Sequence, residues 1–483
     1  MEKYRPNIIT SIFIAISLIE TFFLALAEAP RNGLEYIFLL PLTFGICLLM
    51  FRRISTFQTG GIGLKVAYFI AVIRYIILPL LLILSKGEVS AIRMSTVAEQ
   101  SYYAAVIIQC IELVVFCATI NYFYPRVYNR EHRKYTNRAR NKYPPYINFL
   151  GWCFLVVFGA ILILRMPVWL PALKIFLIKE NSAETKILLE NTMLTCVKIS
   201  LLAYFAQKAA KYQSGTKKYV FWLMLTLIWL LFNALSYFGT NRVFVLENII
   251  TSIIIVCVAL PKARKWVALI VLPLSFVLMF SMVIVKQFDL TSAGQFSAST
   301  LSIEGVSNTV EEYVNGPWTI AQTYSSAADV ASLERVHAFS RDWIGGLSGI
   351  SDLPIIKELV QSTSNWRSSS QIMKESFQAY DRGQMLSFSG EVFIWFGTTV
   401  GWLLFPLLNY LAARCLIYIE VKSKIVDGLL YKYMYVWLSI LFGLTYCYCV
   451  ETIVFCWAKF IFIYWCFLKI NSIPLTISAG GKR

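Results

Sequence analysis

Residues 313–343, YVNGPWTIAQTYSSAADVASLERVHAFSRDW, belong to the one long polar interval of this chain, Gln287 to Phe388, and apolar runs flank it on both sides. The interval is not a disordered linker. It carries Tyr313, Trp318, Tyr324, Phe339, Trp343, Trp366, Phe377 and Tyr380, and aromatic residues at that density imply packing. Apolar positions at Ala321, Tyr324, Ala328, Ala331, Val336 and Phe339 predict one helix from Thr319 to Trp343, stopped at Gly345 and Gly346. A second short helix is expected from Leu353 to Val360, then a loop from Ser362 to Ser370. The expected placement of these helices is on the outer membrane surface or dipping partly into it, with Trp and Tyr at headgroup level.

Outside the interval the chain is apolar. Hydrophobic residues make up 58% of the 483 and charged residues 15%, with a mean hydropathy of +0.63. That is too little polar surface to clothe a water-soluble particle of this length. A membrane-crossing helix needs about 20 apolar residues, and twelve intervals qualify: 8–27, 34–51, 64–84, 102–124, 146–164, 188–207, 219–238, 243–260, 266–285, 389–413, 429–447 and 450–469. Only a short stretch around Tyr448 separates the last two. The expected fold is an all-α polytopic integral membrane protein of about 12 transmembrane helices, with one large extracytoplasmic loop containing short helices. Its expected parts are a nine-helix membrane region over 1–286, the extracytoplasmic loop over 287–388, and a three-helix membrane region over 389–483.

The 44 Lys and Arg exceed the 27 Asp and Glu, a formal charge of +17. No basic face joins up with a nucleic-acid fold, so the excess reads as topology. Most of the cations, including the run from Arg126 to Lys142 with His132 inside it, fall in alternate connections. Cytoplasmic connections collect such cations, which puts both termini inside and the 287–388 interval outside. The Arg126–Lys142 run also suits anionic headgroups. The eleven cysteines lie within the apolar runs or at their edges, a pattern unlike a disulfide framework or a zinc site. No small-residue cleavage pattern follows the first apolar run, so it reads as a retained helix. No internal repeat relates the two halves, which weighs against inverted-repeat transporters.

Phosphate-cradling, HExxH, GxSxG and CxxC motifs are absent, and the chain has two histidines. The remaining chemistry-bearing groups are the outer cations Arg242, Arg335, His337, Arg341, Arg367 and Arg382, and the acids Glu311, Glu312, Asp381 and Glu391. Forked guanidinium donors match phosphate oxygens. His337 and Arg341, at i and i+4, share a helix face. Two readings fit that face: a diphosphate site that donates a proton, or a solvated surface balanced by Glu334 and Asp342. Arg242 closes the short turn Gly239-Thr240-Asn241-Arg242, where a cation meets headgroups or a lipid-linked substrate. Glu391 opens an apolar run after Ser389-Gly390. It suits a partly desolvated general base, and equally a charge favoured at a helix N-terminus. Glu20, Glu112, Arg74 and Lys198 lie within spans, where they either line a wet cavity or form interhelical ion pairs.

Three pieces carry a family resemblance. Gly239-Thr240-Asn241-Arg242 before the apolar run from Val243 is similar to a Gly-x-Arg turn. Tyr313-Val314-Asn315-Gly316-Pro317 resembles a Tyr-x-x-Gly-Pro element, and Ser389 to Gly401 resembles a paired-glycine re-entry segment. In this order they resemble the Wzy-type O-antigen and capsular polysaccharide repeat-unit polymerases, over most of the chain as architecture. The first outer connection, Glu28 to Gly33, lacks the Asp-x-Asp pair of other large membrane glycosyltransferases. The resemblance implies transfer of a growing glycan from polyprenyl diphosphate to a hydroxyl of a new lipid-linked unit, at the outer face of a bacterial cytoplasmic membrane. It implies no cofactor and no metal. The implied partners are the lipid-linked oligosaccharide, membrane lipids, and chain-length regulator and flippase proteins, without nucleic acid. It maps the diphosphate role onto Arg242; Arg341 and Arg382 are added on physical grounds, with Glu391 or His337 as the base. A flippase or transporter of lipid-linked glycans, or a glycan ligase with His337 as its loop histidine, is the alternative.

Overall fold

A computed structural model describes residues 8–51, 61–86, 97–138, 146–170, 173–175, 188–212, 215–238, 242–267, 302–351, 353–376 and 386–473, with isolated positions near 270. The helices are α1 Ile8–Leu26, α2 Leu39–Met50, α3 Ile62–Leu84, α4 Glu99–Arg138, α5 Phe149–Leu164, α6 Leu188–Lys211, α7 Lys217–Leu235, α8 Arg242–Ala259, α9 Ile303–Tyr313, α10 Pro317–Ala328, α11 Ser332–Gly346, α12 Pro354–Ser362, α13 Ser369–Ser376, α14 Phe388–Ile425, α15 Leu429–Gly443 and α16 Val450–Asn471. Among the described residues the fold is helical apart from an antiparallel ribbon in which Leu173 pairs with Phe238 and Ile175 with Ser236.

Among the described residues six helices, α1, α3, α4, α7, α14 and α16, are long and apolar enough to cross a membrane. Their surfaces call for lipid. Ile8, Ile19, Phe22 and Leu26 on α1 are between 70% and 77% exposed, an apolar face that water would not tolerate at this density. In an apolar medium the backbone must satisfy its own hydrogen bonds, which a helix does internally. The chain is therefore a multi-pass membrane protein. The expected intervals 34–51, 146–164, 243–260 and 429–447 hold shorter apolar helices, and 266–285 lies mostly outside the described residues. The 188–207 interval becomes α6, which is not among these six. The turn at 444–449 separates α15 from α16. The basic run from Arg126, expected as a connection, is helical to Arg138 as a continuation of α4.

The chain divides into two compact units, one of residues 1–130, 295–421 and 438–456, the other of 131–294, 422–437 and 457–483. In the first unit α10 is a core element. Pro317, Trp318, Thr319, Ile320 and Ala321 are all buried, packed with Leu34, Phe44, Tyr75, Val106 and Phe393. The expectation for this interval named membrane contacts; for α10 the contacts are with protein. The expected helix from Thr319 to Trp343 is also two helices, interrupted at Asp329–Ala331. The physical reason is Arg335, whose Nη2 donates to the Ala327 carbonyl at 3.2 Å. A cation at the last turn meets the carbonyls that a continuing helix would have used. The stop at Gly346 and the helix over Pro354–Ser362 agree with the sequence reading.

The corner between α9 and α10 is held by charge. Glu311 is fully buried and accepts from the Trp318 backbone N–H at 2.9 Å, while Arg31 reaches its other oxygen at 3.2 Å. Asn315 at the corner has φ +51°, and its carbonyl and amide bond to Gln109 and to the Tyr446 carbonyl. At the start of α3, the Glu420 carboxylate accepts from Gly63 N–H at 3.1 Å and from Ser439.

In the second unit, Asn148 caps α5 by accepting from Gly151 N–H at 2.7 Å, and its own N–H donates to Asn471 at 2.7 Å. Trp229 on α7 donates to the Lys198 carbonyl on α6 at 2.8 Å.

Removing the Glu311 carboxylate leaves Arg31 enclosed without its counter-charge, so Glu311→Ala is expected to cost about 3 kcal/mol of stability. Thermal unfolding of the detergent-solubilised variant checks this, and an unchanged midpoint would show that the pair does not hold the corner.

Candidate functional site

The site is built on a break in a helix. Inside α14, Gly397 adopts φ 74° and ψ 172°, a conformation open to glycine and strained for other residues. It divides α14 into a short segment, Phe388–Phe396, and a long one from Thr398. The Arg335 guanidinium fills the notch, and a Cβ on Gly397 would collide with its Nη1. Non-helical backbone at membrane depth is tolerated only where protein or a cavity covers it, and here Arg335 covers it.

Three polar anchors hold the short segment within the first unit. Ser389 donates to Glu112 Oε1 at 2.8 Å and accepts from Asn409 Nδ2 at 2.8 Å, and Glu112 pairs with Arg74 at 2.9 Å. Glu391 accepts from the Val450 backbone N–H at 2.7 Å. Trp395 Nε1 donates to Asp342 Oδ2 at 2.7 Å. Asp342 in turn accepts from the Ser369 N–H at 3.1 Å and its hydroxyl at 2.5 Å. One buried carboxylate thus joins α11, α13 and the short segment of α14.

Of the residues singled out in the sequence, Glu391 is 1% exposed. The N-terminus it serves is that of α16, a helix 59 residues further along the chain, rather than its own. The charges of Asp342 and Glu451 act on it. Arg341 lies beside this group: its charge acts on both Asp342 and Glu451, and its Nη1 is 3.5 Å from Thr363 Oγ1. His337, one turn earlier, stacks on Trp366 with centroids 4.5 Å apart and planes 7° from parallel. Both side chains of that shared face therefore meet the turn over Thr363–Trp366. The face is half-buried against protein. Arg367 bridges Glu334 and Glu375.

Arg242 opens α8, but its side chain, like Gly239–Asn241, Asp381 and Arg382, lies outside the described residues. The structure therefore links Glu391 and Arg341 through Asp342 and Glu451, sets His337 against Trp366 on the helix that carries Arg341, and leaves the two other arginines unplaced. Asp342, read in the sequence only as a surface partner, is the residue that sequence reasoning missed. Its single signal was its position one residue after Arg341 and one before Trp343. Arg74 and Glu112 resolve as an interhelical ion pair, the second of their two readings.

Burial pushes the Asp342 carboxyl up to about 6, against the opposing pull of the Ser369 and Trp395 donors and of Arg341. The group therefore exchanges a proton near neutrality, in a region that also holds a histidine, an arginine and a second buried carboxylate. That combination can accept a proton and can hold an anion. No protein-family model, no curated protein and no solved structure matches the chain.

The folded state holds the Asp342 proton more tightly than the unfolded chain does, so its stabilisation is complete at low pH and is lost as pH rises through about 6. Between about pH 4.5 and about pH 7 the thermal midpoint of the wild-type chain is expected to fall relative to that of Asp342→Asn. Parallel pH profiles for the two proteins would remove Asp342 as the titrating clasp.

Proposed function

We propose that the protein is a membrane glycosyltransferase that joins polyprenyl-diphosphate-linked oligosaccharide repeat units into a surface polysaccharide. In this reading the membrane is a bacterial cytoplasmic membrane crossed twelve times, with both termini inside. The polar interval 287–388 faces outward as an extracytoplasmic loop. The observation that supports it is the packing of α11, with His337, Arg341 and Asp342, near the short α14 segment that carries Glu391. A reaction between two lipid-linked substrates needs such a meeting of interval and span ends, because its reacting atoms sit at the membrane face.

In the reaction the acceptor hydroxyl oxygen attacks the anomeric carbon of the donor. The bond from that carbon to the diphosphate oxygen breaks, and the hydroxyl proton passes to Glu391 or His337. Negative charge grows on the departing diphosphate, where Arg341 would stabilise it, with Arg242 and Arg382 as the further cations. Glu391 is covered by α16 at present, so its work as a base requires the Val450 contact to open. Phe339 and Trp343, 40% and 46% exposed on α11, offer flat faces for sugar rings. Lipid-linked substrate, membrane lipids, and chain-length regulator and flippase proteins are the partners of this reading.

One observation favours a second reading. Broken helices and buried charges also occur where transporters bind their cargo, and the Gly397 break with the Arg74–Glu112 pair fits a carrier of lipid-linked glycans.

Cells lacking the gene separate the two. For a polymerase, single repeat units accumulate on lipid at the outer face. Arg341→Ala or Glu391→Gln, expressed at wild-type level, is expected to lower chain elongation at least about a hundredfold. Units trapped at the inner face would establish the carrier instead, and full elongation by both variants would dismiss the proposed site.

A further inference from the structure

The second unit holds a buried carboxyl that the reaction above does not use. Glu247 on α8 is 1% exposed, and neither of its oxygens has a hydrogen-bond partner among the described residues. Thr251, one turn along the same face and fully buried, has an unpartnered hydroxyl. The polar groups around them are already engaged. Asn248 Oδ1 accepts from Tyr433 at 3.3 Å and from Trp437 at 3.1 Å. Ser252 accepts from Asn233 on α7 at 2.6 Å. Glu247 acts on Tyr433 of α15, and among the described residues no cation offsets Glu247.

Among the described residues the other acids of this unit are matched. Glu190 meets Arg165 at 2.7 Å, Glu131 meets Lys422, and Asp427 accepts from Tyr135. Among the described residues of the unit, Lys198 on α6 is also buried without a counter-charge. Its Nζ is 2.8 Å from the Ser236 carbonyl, 2.7 Å from the Ser236 hydroxyl and 3.5 Å from the Asn233 carbonyl. Three acceptors match the three hydrogens of an ammonium. Lys198 is thus satisfied as a cation, and Glu247 is satisfied in no form that the described residues supply.

An ionised carboxylate with neither donor nor cation is too costly to bury in an apolar bundle, and such a group neutralises instead. A metal cation would need several oxygens converging on it. The unpartnered oxygens here belong to one face of one helix, Glu247 and Thr251, whereas a proton needs only the carboxyl itself. We propose that Glu247 is a proton-binding site within the membrane, giving the second unit a proton-exchange function separate from the site in the first. The ligand is a proton, and the exchange makes or breaks only the O–H bond of the carboxyl.

Dicyclohexylcarbodiimide, an apolar reagent that adds across the O–H of protonated carboxyls, tests this on the full-length protein in phosphatidylcholine–phosphatidylglycerol vesicles. Peptide mass spectrometry reads the adduct. At about pH 7 the Glu247 peptide is expected to carry it, when exposed carboxyls are ionised and unreactive. The yield is expected to fall about tenfold per pH unit on the alkaline side of its midpoint. Glu247→Gln should lose that adduct alone. Glu20 on α1, also buried with an unpartnered oxygen, reports whether the reagent reaches the apolar interior. Labelling of Glu20 without Glu247 at about pH 6 would overturn the proposal. Protection of Glu247 by Na⁺ would overturn it too, by assigning the carboxylate to a metal cation. Both results are independent of whether repeat units polymerise.

Discussion

An apolar surround gives a charged side chain nothing to bind except another part of the protein, and the first unit is arranged around that constraint. Arg74 on α3 and Glu112 on α4 are enclosed together at 2.9 Å, and Glu112 spends its other oxygen on Ser389. Separated, each would be an uncompensated charge costing several kcal/mol. The pair therefore holds three helices to one geometry, and Ser389, at the end of this chain of contacts, sets where the short α14 segment begins. The guanidinium also faces the Tyr75 and Tyr446 rings, at 5.9 and 5.7 Å, so the 444–449 turn is drawn to the same charge.

From that anchor the rest of the candidate site follows. A segment of nine residues, Phe388–Phe396, is bound at its start through Ser389, in its middle through Glu391 and near its end through Trp395. Gly397 then lets the chain leave the helical path without strain. Arg335 occupies the space beside the glycine and also ends α10. One side chain thus answers two local problems, the open carbonyls at a helix end and the exposed backbone at a break. Asp342 performs a similar double task by joining α13 to the short segment.

Both units bury charge in two ways. Some ions are paired: Arg31 with Glu311 and Arg74 with Glu112 in the first unit, Arg165 with Glu190 and Lys422 with Glu131 in the second. Others have no counter-charge among the described residues: Glu20 in the first unit, and in the second Glu247 and Lys198, the latter held among carbonyl and hydroxyl oxygens. Paired charges rigidify because neither partner can move without loss, whereas a lone carboxyl can change its proton without any partner moving. The first arrangement suits a scaffold that positions reacting groups, and the second suits a group that titrates.

The apolar runs were legible because a helix in lipid needs only length and hydropathy, both local properties of the chain. So were α12 and the stop at Gly346, which follow from turn residues and helical spacing. Glu391 was legible as a candidate since an acid at the start of an apolar run is costly wherever it folds. Its partner was not: Val450 lies 59 residues away, and nothing in the spacing of Ser389, Gly390 and Glu391 points to it. The division of Thr319–Trp343 into two helices was hidden for a similar reason. The apolar period runs through Asp329–Ala331 unbroken, and the interruption comes from Arg335 folding back onto Ala327. Asp342 read as a surface residue because a helix face reveals its period but not what covers it. By itself the sequence determined a multi-pass helical membrane protein with one polar, aromatic-rich interval, since those follow from the transfer of local segments between water and lipid. Only the tertiary structure decided that α10 is core, that α14 is broken at Gly397, and which buried charges are paired, because each depends on which distant residue arrives at hydrogen-bonding distance.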